Sequence, residues 1–141
     1  MKRKAVFALF AVILLGAAQC QTDSRQQLLA TSESQVALRS IQTRVFDTTD
    51  REKTLRTAIA TLQDLGFVID KADAVLGAVS ATKLDRYMLR MTVTVRPRGE
   101  TQTLVRANAQ YQRMAVEDPE PYQHFFAALE RAMFLTANQI D

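Results

Sequence analysis

The residue of this chain with the most distinctive covalent chemistry is Cys20. It is the only cysteine in 141 residues, and it stands directly behind the segment Gly16-Ala17-Ala18-Gln19. A thiol can act as a nucleophile, a metal ligand or half of a disulfide. One cysteine has no intramolecular disulfide partner. With a single histidine in the chain, His124, a soft-metal site also lacks ligands. The chemistry that fits a lone thiol at the exit of an apolar run is a thioether to a diacylglycerol. The chain would be cut just before Cys20, which would become its first residue.

The residues upstream supply the route. Lys2, Arg3 and Lys4 precede twelve uncharged, mostly apolar residues from Ala5 to Gly16, the basic and apolar regions of a secretory signal. The run is shorter than the roughly 20 residues a spanning helix needs. A signal peptide over residues 1–19 is therefore predicted, with an uncleaved anchor as the alternative. The exit segment resembles the lipoprotein signal pattern, with a small or apolar residue three before the cysteine and a small residue just before it. Ala17 stands where Leu is usual, and Gln19 where Gly, Ala or Ser is usual. A simple cut after Ala18, giving a soluble periplasmic chain that starts Gln19-Cys20, is the second reading. The lipoprotein reading implies a diacylglycerol and an N-acyl chain on Cys20, of the palmitate kind. Gln21, unlike Asp, carries no inner-membrane retention signal, so the expected place is the outer membrane, lipid-anchored and facing the periplasm.

Elsewhere reactive constellations are sparse. Glu120 and His124 are one helical turn apart but have no third ligand, so no metal is expected. Ser80 and Thr82 have no evident general base, and Asp47 and Asp50 sit where a helix cap accounts for them. The four glycines form no phosphate loop. No catalytic residue and no cofactor beyond the covalent lipid is expected. Charge excludes a further class. The 18 Lys and Arg against 15 Asp and Glu fall to 15 against 15 once Lys2, Arg3 and Lys4 are removed, and no basic block remains to follow a nucleic acid backbone.

The elements behind these residues divide into a tether and a domain. Residues 20–38, rich in Gln, Ser and Thr, read as a flexible tether with one helical turn near Gln26 to Ala30. Residues 39–141 read as one α+β domain. Ile41, Thr43 and Val45 alternate with Gln42, Arg44 and Phe46 as in a strand. Thr49 and Glu52 have capping-box spacing ahead of a helix with the stripe Leu55, Ala58, Ile59, Leu62 and Leu65. Gly66 ends that helix and Phe67 opens the next strand. A turn is expected near Lys71 to Asp73, and a strand from about Leu76 to Thr82. Leu89, Met91, Val93 and Val95 face one way on the following strand, and Val105, Ala107, Ala109 and Tyr111 do so on the return strand after a Pro97–Glu100 turn. Asp118 and Pro119 open a last helix with the stripe Tyr122, Phe125, Phe126, Leu129, Met133 and Phe134. The order β-α-β-β-β-β-α predicts two layers, an antiparallel sheet with two helices on one face and one polar face left wet.

The segment from Gln42 to Lys83, with the hairpin and "EPYQHFFAALERAMFL", resembles a family of small bacterial envelope lipoproteins. It is similar in layout to the helix-grip-like domains of the accessory lipoprotein of the outer-membrane β-barrel assembly machine. The resemblance implies an accessory role in the cell envelope and brings no catalytic residues. The expected function is a non-catalytic, membrane-anchored interaction subunit of an envelope complex for transport, secretion or outer-membrane assembly. Its partners would be the outer membrane, through the lipid, and an envelope protein complex. The candidate surface is Arg90, Arg96, Arg98 and Arg106 on the polar sheet face. The alternative is a periplasmic carrier for lipid or a cell-wall fragment, which needs an apolar cavity between helices and sheet.

Overall fold

In the computed structural model, residues 34–85 and 87–137 are described. The chain forms two compact units, Met1–Ala37 and Leu38–Asp141, and the elements below belong to the second. They are β1 (Thr43–Phe46), α1 (Arg51–Asp64), β2 (Val68–Asp73), β3 (Ala78–Asp85), β4 (Tyr87–Arg98), β5 (Gln102–Tyr111), β6 (Met114–Ala115) and α2 (Glu120–Ala137). The fold is α+β, with an antiparallel sheet in the order β1-β5-β4-β3-β2 and β6 added beside β5. Strands β2 to β5 form a meander. β1 returns along the outer edge of β5, pairing Thr43 with Arg106 and Phe46 with Thr103.

Both helices cover the same sheet face. Leu55, Ala58 and Leu62 of α1 and Tyr122, Phe125, Phe126 and Leu129 of α2 form one buried cluster with Val79, Ala81, Met91, Val93, Val95, Val105, Ala107 and Ala109 of the sheet. The alternation of β4 and β5 places these residues inward and leaves their polar neighbours toward water. Three threonines, Thr54, Thr57 and Thr61, also lie on the buried side of α1. Their hydroxyls donate to the carbonyls of Asp50, Lys53 and Thr57, each at 2.8 Å, so none of these three is left unpaired by burial.

The first helix is capped one residue later than the capping-box spacing suggests. Asp50, not Thr49, is the cap: its Oδ1 accepts the Lys53 amide at 2.9 Å. Glu52 turns outward to Arg56 at 3.3 Å. Thr48, Thr49 and Asp50 are all competent caps, and the charged acceptor at the positive end of the helix wins. Asp50→Ala is expected to cost about 1 kcal/mol and Thr49→Ala a few tenths. Urea unfolding of the two variants checks this, and equal losses would contradict the assignment.

At the other end of α1, the Gly66 amide donates to the Gln63 carbonyl and the Phe67 amide to the Leu62 carbonyl, both at 2.9 Å. This pair of bonds closes the helix and leads straight into β2.

Several boundaries differ from the sequence reading. Residues 34–41 are helical and Gln42 is a turn, so Ile41 ends a helix instead of starting β1, and that helix begins within the segment read as the tether. The turn expected at Lys71–Asp73 lies at residues 74–77. β2 runs on to Asp73 through a register shift between Ile69 and Lys71, and Leu76 is an exposed turn residue. The helical turn expected near Gln26 lies outside the described residues.

Pro97 and Arg98 belong to β4, and the hairpin turn follows at residues 99–101. Pro97 is tolerated there because it lies beyond the ladder with β3, whose first residue, Ala78, pairs with Thr94. The Val95 amide reaches only the Gly77 carbonyl before β3 begins, so an amide two residues on would meet no strand. Phe134 is exposed. On a 3.6-residue turn it lies roughly 120° round from Tyr122, off the apolar stripe.

The chain segments around α2 are tied by one buried hydroxyl. Tyr122 donates to the Val116 carbonyl at 2.7 Å and accepts from Gln42 Nε2 and the Ala109 amide, each at 3.2 Å. A buried polar network of this kind fixes α2, β5 and the segment before β1 in one arrangement.

Candidate interaction surface

The sheet face opposite the helices presents the candidate arginines. Even-numbered positions of β4 and β5 point to this side, because their odd-numbered neighbours fill the core. Arg90, Arg96, Arg98 and Arg106 are all exposed. The register brings three of them together. Arg96 lies opposite Leu104, Arg98 opposite Gln102, and Arg106 opposite Thr94, which makes Arg96 and Arg106 diagonal neighbours roughly 7–8 Å apart at the backbone. Arg90 stands apart, paired with Gln110 toward the other end of the strand.

None of the four forms an ion pair among the described residues. The salt bridges of fixed charge there are Arg44–Glu130 and Arg56–Glu52. Three carboxylates of the sheet and its loops are engaged by other groups, while Glu100 stands exposed in the turn after Arg98. Asp47 accepts from Gln102 Nε2 at 2.7 Å, Asp73 accepts the Leu76 amide at 2.9 Å, and Asp70 accepts from Thr82 at 2.6 Å. Ser80 and Thr92 share a hydrogen bond across β3 and β4 at 3.2 Å. The result is a hydroxyl-lined sheet face with exposed positive charge. It suits an acidic counter-surface whose carboxylates can accept paired guanidinium donors.

The other candidate groups occupy structural positions. Glu120 and His124 are 3.9 Å apart on the outer surface of α2, each 69% exposed. No group of three or more potential metal ligands occurs among the described residues. The Thr82–Asp70 pair was not legible in the sequence, because it depends on the cross-strand register of β2 and β3. Cys20 lies outside the described residues. No helix among the described residues is long and apolar enough to cross a membrane.

Two clefts lie at the margins of the helix layer. One, of about 450 Å³, is lined by residues that include Phe46, Lys53, Glu130 and Met133. The other, of about 360 Å³, lies between Phe67, Lys83, Leu89 and Tyr111 on one side and Asp118, Glu120 and His124 on the other. The helix-sheet interface itself is occupied by side chains, with Leu62, Met91, Val93, Phe125, Phe126 and Leu129 at 0 or 1% exposure. No protein-family model and no curated protein matches the chain.

Proposed function

We propose that this chain is a non-catalytic, membrane-anchored lipoprotein that serves as an accessory or interaction subunit of a bacterial cell-envelope complex. The observation that carries the reading is the Arg96, Arg98 and Arg106 cluster, exposed on one sheet face and without a carboxylate partner among the described residues. An array of like charges on a rigid sheet has a use when an acidic partner meets it. The placement of Cys20 behind the apolar run of the signal supplies the anchor, and the side chains filling the interior favour an interaction module over a carrier.

The double substitution Arg96→Glu and Arg106→Glu tests the face. Partner capture from detergent-solubilised membranes is expected to fall about tenfold relative to wild type, and wild-type capture to weaken with rising salt. Capture unchanged by the charge reversal would overturn the reading. Co-purified lipid or glycan without a protein partner would favour the carrier.

A further inference from the structure

The strongest feature that the interaction face does not account for is the apolar end of the sheet. Of the ten large apolar side chains exposed among the described residues, six lie there: Val68, Leu84, Tyr87, Met88, Tyr111 and Met114, between 38 and 81% exposed. The register shows why they gather. Leu84 pairs with Met88, Leu89 with Tyr111, and Tyr111 with Met114, while Val68 lies opposite Thr82. The β3–β4 hairpin therefore runs past the last rung that β2 and β5 can cover. Tyr87 and Tyr111 meet edge to face, with ring centroids 6.3 Å apart.

The apolar groups point both ways. Val68, Leu84 and Met88 share the outer face with Thr82 and Arg90, whereas Tyr87, Tyr111 and Met114 lie on the side of the helices yet stay exposed, Tyr111 at the cleft beside the start of α2. A flat protein partner covers one face of such a projection. A fluid lipid interface surrounds both. Charge agrees with an anionic lipid: exposed Arg90 and Arg113 border the apolar end, and Lys83 stands 5.9 Å from the Phe67 ring beside it. Asp118 and Glu120, at the start of α2, line the cleft that Lys83 and Tyr111 also line. The same arginines disfavour a second copy of the chain, whose like charges would meet across a two-fold axis.

We propose that this end of the sheet is a membrane-contact site, with Leu84, Tyr87, Met88 and Met114 entering the interfacial region of an anionic bilayer and Arg90 and Arg113 on its phosphates. Tyr, Leu and Met supply amphipathic and apolar area at that depth, and the arginines add attraction to anionic headgroups. The contact orients the folded domain on the bilayer and does not require the lipid on Cys20.

The chain contains no tryptophan, so Tyr87→Trp in the full chain is a single reporter, with Leu76→Trp at the opposite end of β3 as its counterpart. On phosphatidylcholine vesicles containing phosphatidylglycerol, the Tyr87→Trp emission should shift to the blue and be quenched by lipids brominated near the headgroup. Leu76→Trp should show neither effect. Adding Arg90→Glu and Arg113→Glu should remove the preference for phosphatidylglycerol over pure phosphatidylcholine. No response at position 87, or an equal response at 76, overturns the proposal. So does a blue shift that grows with protein concentration before any vesicle is added, which would assign the surface to a second copy. These readouts leave the Arg96 and Arg106 capture experiment untouched, so the two readings stand or fall separately.

Discussion

Gly77→Ala is expected to destabilise the domain by roughly 2–5 kcal/mol, of which left-handed backbone accounts for about 1–2 and crowding for about 1–3. Gly77 has φ +67, and a Cβ there would stand 2.5 Å from the Val95 carbonyl oxygen. That backbone has no room to retreat, because the Val95 amide is bonded to the Gly77 carbonyl at 2.7 Å. Arg51 braces the same turn, its Nη2 lying 3.4 Å from the carbonyls of both Ala74 and Val75. Thermal unfolding should show a Tm lower by roughly 10–20 °C. Gly99→Ala is the internal comparison. Its φ is +60, but an added Cβ meets nothing within 4 Å, so only the backbone part of the cost applies. Equal losses at the two positions would contradict the close approach of the β2–β3 turn to β4.

Phe126→Ala is expected to cost about 3–5 kcal/mol, the range for removing a large aromatic side chain from a core. Phe126 is 1% exposed. It meets Phe125 edge to face with centroids 5.2 Å apart, and the Arg44 guanidinium lies 5.0 Å from its ring centroid. Arg44 is held in turn by Glu130 at 3.5 Å, so truncation removes transfer energy, an aromatic pair and the support of an edge-strand arginine together. Urea unfolding should show a lower midpoint at an unchanged slope. A loss below about 1 kcal/mol would contradict a shared core beneath both helices, because surface positions are where substitutions cost so little.

The parts of this fold most legible in the sequence are those with one dry and one wet face. β4 and β5 alternate strictly because the helices cover only one side, and the stripes of α1 and α2 repeat at helical spacing for the same reason. Boundaries were harder where neighbouring residues share a competence. Thr48, Thr49 and Asp50 can each cap a helix, and only the folded structure shows that Asp50 does so. Residues 71–73 read as a turn because Lys71 and Asp73 are charged, yet an edge strand can carry polar groups on both faces. For the candidate surface, alternation assigned Arg90, Arg96, Arg98 and Arg106 to one face, but only the cross-strand register separates Arg90 from the other three. The apolar end was hidden for a related reason. Parity says which way Tyr87 and Tyr111 point, whereas their exposure depends on where the helices stop.

Membrane anchoring through Cys20 is tested by the intact mass of the mature protein extracted from membranes. The expected species begins at Cys20 and carries the added mass of a diacylglycerol and an N-linked acyl chain, and Cys20→Ala should abolish that addition. An unmodified chain beginning at Gln19 would contradict the anchor and leave a soluble periplasmic protein in its place.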